Sequence, residues 1–198
     1  MNIAIIGAVD TCKTTLFEEV VTKLPPEFTR IEKFVPMYTM APRGLFEFMC
    51  RQEEILIDQI DQIDWECEVE GVNIVNNGSV IDTFARMLVG KGIYYKYAFQ
   101  GNIEKNIDIL RNASHPVLKA FSHFYSYDLL FYLPIVVNYG DPSRPKETQR
   151  ELNQKINVDE TIRYLLRTLN IQHNIVTGSA EEQRDFVLEK INEAQLFN

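Results

Sequence analysis

The 198-residue sequence predicts an α/β protein, a five-stranded parallel sheet flanked by helices on both faces. Three observations lead there. Short apolar, β-branched runs alternate with longer segments of helical spacing along the chain. The first run, Asn2–Gly7 (NIAIIG), ends in glycine and passes directly into a helical segment, as strands of a buried parallel sheet do. No repeat, low-complexity stretch or linker divides the chain, so residues 1–198 read as one domain.

The elements follow in order. Lys13–Leu24 sets Leu16, Val20 and Leu24 on one helical face and is stopped by Pro25-Pro26. A second strand is expected around Thr29–Val35. Leu45–Glu68 repeats Leu45, Phe48, Met49, Gln52, Leu56, Gln59, Ile60 and Ile63 at helical intervals and predicts a long helix. Gly71–Asn76 (GVNIVN) predicts a third strand, and Ser79 the cap of a helix to about Val89. Residues 90–127 are aromatic-rich and read as helical, with a break at His115-Pro116. Leu129–Ile135 (LLFYLPI) is the fourth strand, Asn138–Lys146 an exposed loop and Glu147–Leu169 an amphipathic helix. His173–Thr177 is the fifth strand, and Ala180–Gln195 a closing helix capped by Ser179. Ligands of such sheets bind beyond the carboxyl ends of the strands.

Composition narrows the function. With 28 acidic residues against 20 basic ones the net charge is −8, which argues against broad contact with nucleic acid or an anionic membrane. Met1–Gly7 is too short and uncharged for a signal sequence, and no apolar run approaches the ~18 residues that span a bilayer. Cys12, Cys50 and Cys67 are odd in number and lack metal-ligand spacing, so reduced thiols in a cytoplasmic setting are expected. His115, His123 and His173 also lack mutual metal spacing and read as structural.

The sharpest signal is Gly7-Ala8-Val9-Asp10-Thr11-Cys12-Lys13-Thr14-Thr15. It matches the phosphate-loop pattern G-x-x-x-x-G-K-[S/T], with a strand before it and a helix after. Such a loop curls successive backbone N–H groups into an anion-binding nest, and the helix N-terminus adds partial positive charge. Lys13 would neutralise the β- and γ-phosphates of a nucleoside triphosphate, and the Thr14 hydroxyl would ligate Mg²⁺. One position departs from the pattern: Cys12 stands where the second glycine belongs.

Beyond the loop, three stretches resemble the small P-loop kinases related to the ribosylnicotinamide kinase domain and to deoxynucleoside kinases. They are NIAIIGAVDTCKTTL at residues 2–16, NIVNNGSVIDTFARML at 73–88, and YDLLFYLPIVVNYGDPSRPKETQRELNQKINVDETIRYLLRTLNI at 127–171. The resemblance implies an ATP- and Mg²⁺-dependent transfer of phosphate to a hydroxyl of a nucleoside, nucleotide or related ribosyl compound. It implies a lid at about 137–150 whose Arg144 closes over the phosphates, with Arg150 beside them. It places Ser179 near the adenine pocket, and it matches Asp82 to a family aspartate that orients acceptor or metal water, as Asp10 could.

Departures from the family open a second reading. Where an acid and an arginine commonly end strand three, this chain has Asn76 and Asn77, and neither amide can take a proton from a hydroxyl. Where strand two usually ends near an acid and an arginine, it reads Phe34-Val35-Pro36-Met37-Tyr38-Thr39. A degenerate relative that binds nucleotide or a protein partner without turnover is therefore the alternative. A kinase of modified bases in DNA is a third, opposed by the acidic balance. Gln52, Gln59 and Gln62 read as polar surface positions or as readers of a base edge. Tyr94-Tyr95-Lys96-Tyr97-Ala98-Phe99 reads as core, as a homodimer interface or as a base-stacking surface.

Overall fold

The computed structural model describes residues 1–8, 11–31, 73–86, 89, 122–135 and 149–196. Five strands form one sheet: β1 (Asn2–Gly7), β2 (Thr29–Ile31), β3 (Ile74–Asn77), β4 (Leu129–Leu133) and β5 (Asn174–Ile175). All pairs are parallel, in the order β2-β3-β1-β4-β5. Among the described residues the helices include α1 (Lys13–Val21), α2 (80–86), α3 (Gln149–Thr168) and α4 (Ala180–Leu196).

Side chains on a strand alternate between the two faces of the sheet. Ile3 and Ile5 of β1, with Phe131 and Leu133 of β4, face Leu16, Phe17 and Val20 of α1 and Val187 and Ile191 of α4. Ala4 and Ile6, with Leu130 and Tyr132, face Val80, Ile81, Phe84 and Ala85 of α2 and Val158, Ile162, Leu165 and Leu166 of α3. At β1 and β4 both faces are buried, which is why these two strands read as unbroken apolar runs rather than alternating ones.

Three boundary shifts from the sequence expectation have a local cause, while β5 is shorter than the expected His173–Thr177. The first helix ends at Val21 because the Lys23 and Leu24 amides bond Val20 and Val21 oxygens in tightened turns, and Pro25 disfavours a helical Leu24. The third strand begins only at Ile74 because Asn73 is left-handed, with φ 59°. The fourth strand ends at Leu133 because Pro134 has no N–H for the ladder. Both expected helix caps form. Ser79 Oγ accepts the Ile81 amide at 3.0 Å. The Ser179 amide and hydroxyl each donate to Glu182 Oε2 at 2.8 Å, while the Glu182 amide returns to Ser179 Oγ at 3.3 Å. These bonds hold the Glu182 carboxyl below its ordinary range. The helix expected over Leu45–Glu68, most of the aromatic segment 90–121 and the loop Asn138–Lys146 lie outside the described residues.

The strand order positions the site. From β1 the chain goes to β2 on one side, and from β3 it crosses to β4 on the other. The carboxyl ends of β1 and β3 therefore border the switch point where ligands of open α/β sheets bind.

Candidate phosphate-binding site

Gly7 ends β1 with φ 155°, and its amide donates to Asp82 Oδ1 of α2 at 3.0 Å. A side chain at position 7 would collide with the carbonyl oxygen of Leu133, so only glycine fits. Thr11 Oγ1 donates to the Ala8 carbonyl at 2.9 Å and closes the loop on itself. Lys13 Nζ folds back to the Gly7 and Ala8 carbonyls, at 2.7 and 2.6 Å. The ammonium is thus held over the loop, within reach of any anion that the loop takes up.

Cys12 answers the question its residue type raised. It sits at φ 62°, ψ 20°, the left-handed region that a glycine would occupy at small cost. Position 12 thus takes a conformation that glycine adopts cheaply, with a residue that carries a Cβ. Cys12 is exposed, and its carbonyl accepts the first intrahelical bond, from Leu16 N, at 3.0 Å. No side chain caps α1. The N-terminal amides of a helix have no intrahelical partners, so an anion placed there would complete them.

Replacing Cys12 therefore has a predictable sign. Cys12→Gly should be at least as stable as the unaltered protein and bind triphosphate at least as tightly. Cys12→Val, β-branched in the same conformation, should be less stable than the glycine form by about 1–2 kcal/mol. Urea melts and nucleotide titrations of the three proteins check this. A valine form as stable as the glycine form would mean that position 12 is not held left-handed.

Thr14 is exposed in the first turn of α1, and its hydroxyl oxygen accepts a bond from Asn77 Nδ2 at 3.3 Å. Asn77 closes β3, so the two sides of the switch point meet here. Asn76 faces elsewhere: its amide donates to Asn2 Oδ1 at 3.1 Å and to the Ile3 carbonyl at 3.3 Å, pinning β3 to β1. Asp82 is 1% exposed and lies beneath the loop, with Oδ1 on Gly7 and Oδ2 buried without a hydrogen-bond partner. A hydroxyl and an unpartnered carboxylate oxygen are hard donors of the kind Mg²⁺ takes, directly or through its waters, so the residues fit that ion.

Gly7, Ala8, Thr11, Cys12, Lys13, Thr14, Thr15 and Asp82 are therefore gathered at one place. Ser179 lies at the carboxyl end of the sheet beyond β5, with its amide and hydroxyl engaged by Glu182. Val9, Asp10, Arg144, Gln52, Gln59, Gln62 and Tyr94–Phe99 lie outside the described residues, as do Cys50, Cys67, His115 and the side chain of Arg150. His123 stacks edge-on against Tyr127, and His173 edge-on against Tyr132. Burial lowers the pKa of His123.

One polar cluster has no counterpart in the sequence reading. Tyr132 of β4 donates to Asp159 Oδ1 at 2.7 Å, and the Ile135 amide donates to the same oxygen at 3.1 Å. Arg163 pairs with Asp159 Oδ2 at 2.8 Å, and its Nε donates to the Tyr132 oxygen at 2.8 Å. Burial, then the bond to Asp159, raises the Tyr132 phenol, and the bond to Tyr132 raises Arg163. The ring fastens α3 to the carboxyl end of β4. Its only sequence cue is the i, i+4 spacing of Asp159 and Arg163.

The solved structures similar to this chain include deoxyadenosine kinase from M. mycoides with bound dATP, at TM-score 0.61 and 16% identity, covering 97% of this chain and 100% of that one. The same enzyme with products dCMP and dCDP gives 0.57 at 16%, covering 98% and 100%. The NadR protein in complex with NR gives 0.54 at 15%, covering 96% of this chain and 50% of that one. The fold is that of the P-loop nucleoside kinases. No protein-family model and no curated protein matches the sequence. Among the described residues no helix is long and apolar enough to cross a membrane.

Proposed function

We propose that the chain binds ATP with Mg²⁺ on residues 7–15 and transfers the γ-phosphoryl group to a hydroxyl of a nucleoside, nucleotide or related ribosyl compound. The observation that carries this reading is the loop itself. Lys13 stands over a left-handed turn at a helix N-terminus, beside the Thr14 hydroxyl and at the switch point of a parallel sheet. Phosphoryl transfer asks the protein chiefly for positioning and charge neutralisation. The loop amides and Lys13 would supply both to the β- and γ-phosphates, with Arg144 and Arg150 adding charge from the 137–150 segment. Thr14 would hold the metal, whose chemistry is to neutralise charge on the transferring group. Asp82 would hold Gly7 and so fix the loop's first residue. The Thr177–Ser179 turn would flank the adenine.

Asn76 and Asn77 favour a second reading, nucleotide binding without turnover. Neither side chain is a base, and both are engaged, Asn76 on β1 and Asn77 on Thr14. A missing general base is worth roughly 10²–10⁴-fold in rate. The test is transfer of γ-labelled phosphate from ATP to a panel of nucleosides, deoxynucleosides and ribosyl compounds. Slow transfer, well below the roughly 1–100 per second of ordinary kinases, is expected for the best acceptor. Nucleotide binding with no transfer to any acceptor would select the second reading, and ordinary rates would discard it.

A further inference from the structure

We infer that Asp159 is a positioning residue for the phosphate loop, acting through the end of β4. The inference rests on the phosphate-loop reading above and adds a residue of α3 to that site. Gly7 begins the loop, and in the sheet it lies opposite Leu133, the last residue of β4. The two backbones meet so closely that a Cβ on Gly7 would strike the Leu133 carbonyl oxygen. That oxygen is the wall against which the loop starts. The Gly7 carbonyl in turn accepts from Lys13 Nζ at 2.7 Å, so a shift of the wall reaches the loop's ammonium through one residue.

Two anchors hold the wall. Before Leu133 the sheet holds the chain, since the Tyr132 carbonyl accepts the Val176 amide at 2.9 Å. After Leu133 the ladder stops, because Pro134 has no N–H. The next amide, Ile135, donates to Asp159 Oδ1 at 3.1 Å, and the Tyr132 hydroxyl donates to the same oxygen at 2.7 Å. One carboxylate oxygen therefore grips the chain on both sides of Leu133. Arg163 braces the grip, pairing with Asp159 Oδ2 at 2.8 Å and donating to the Tyr132 oxygen at 2.8 Å. Asp159 is 1% exposed, so the carboxylate has little contact with water. A satisfied buried network of this kind fixes one arrangement, and a binding site whose support is loose loses affinity. Asp82 holds the Gly7 amide directly from α2. Asp159 adds support from α3, through Leu133.

The experiment measures Mg-ADP affinity by calorimetry, well below the melting temperature, for the unaltered protein, Asp159→Ala, Asp159→Asn and Tyr132→Phe. Ile191→Ala, a cavity in the core on the other face of the sheet, is the destabilised control. Asp159→Ala should bind about tenfold more weakly. Asp159→Asn keeps an oxygen for both donors and should recover most of that loss. Tyr132→Phe removes one of the two bonds and should weaken binding about two- to threefold. Ile191→Ala should bind like the unaltered protein. Hydrogen exchange without nucleotide gives a second readout. In Asp159→Ala the Gly7 amide should exchange faster relative to the Ile5 amide of the same strand, and in Ile191→Ala that ratio should hold.

An Asp159→Ala protein that binds no worse than Ile191→Ala would overturn the inference, since Asp159 would then serve stability alone. So would an Asp159→Asn protein as weak as the alanine form, because the acceptor oxygen would not be what matters. Either result would leave the phosphate-loop reading standing. If Asp159→Ala fails to fold, Tyr132→Phe decides by the same comparison with Ile191→Ala. If the unaltered protein binds no nucleotide, the phosphate-loop reading falls, and an unchanged Gly7-to-Ile5 exchange ratio would show separately that Asp159 does not set the loop.

Discussion

Lys13→Ala should lose ATP affinity by about ten- to a hundredfold, while its melting temperature stays close to that of the unaltered protein. Charge-assisted contacts to phosphate contribute roughly 1.5–3 kcal/mol. The ammonium's bonds to the carbonyls of Gly7 and Ala8 lie in a part-buried setting, where water can replace it. The effect therefore falls on binding and spares the fold. Calorimetry with Mg-ATP and a thermal melt on both proteins separate the two. A variant that binds like the unaltered protein would remove the ammonium from the phosphate site. A variant that fails to fold would mean that Lys13 holds the loop structurally.

The second large effect falls on stability. Asp159→Ala should cost about 2–4 kcal/mol, from the donors it leaves without an acceptor. At this chain length that corresponds to a fall of roughly 10 °C in melting temperature. Asp159 is 1% exposed and takes bonds from the Tyr132 hydroxyl, the Ile135 amide and Arg163. Alanine leaves the buried Tyr132 hydroxyl and the part-buried Ile135 amide without their acceptor, at about 1–3 kcal/mol for a buried donor and less for a part-buried one. Arg163 has a half-exposed side chain and can turn to water. Tyr132→Phe removes one hydroxyl and should cost less, about 1 kcal/mol. Differential scanning calorimetry of the two variants gives the order. An Asp159→Ala melt within about 2 °C of the unaltered protein would mean that the ring contributes little.

Local signals account for what the sequence made readable. An apolar run ending in Gly7, a lysine at the right offset and a helical face at Leu16 and Val20 are all contained within about twenty residues. Both serine caps, Ser79 and Ser179, were readable for the same reason. The strand order β2-β3-β1-β4-β5 was not, because alternation of strands and helices implies a parallel sheet without ranking its strands. Contacts between distant residues were also hidden. Asp82 reaches Gly7 across 75 positions, Asn77 reaches Thr14 across 63, and Tyr132 reaches Asp159 across 27. Nothing in residue type announces such pairs. Cys12 is the instructive case, since the motif marked it as a departure while the backbone at that position remained a glycine's.

The central claim is that phosphate binds on residues 7–15, and backbone amide NMR of the uniformly ¹⁵N-labelled protein tests it most directly. On titration with Mg-ADP, the largest shift changes should fall on the amides of Gly7, Ala8 and Thr11 through Thr15. Smaller changes should fall on Asn77 and Asp82 across the switch point, and the outer face of α3 around Tyr164 and Arg167 should stay unmoved. Changes centred on α3, with the Gly7–Thr15 amides unaltered at saturation, would contradict the account.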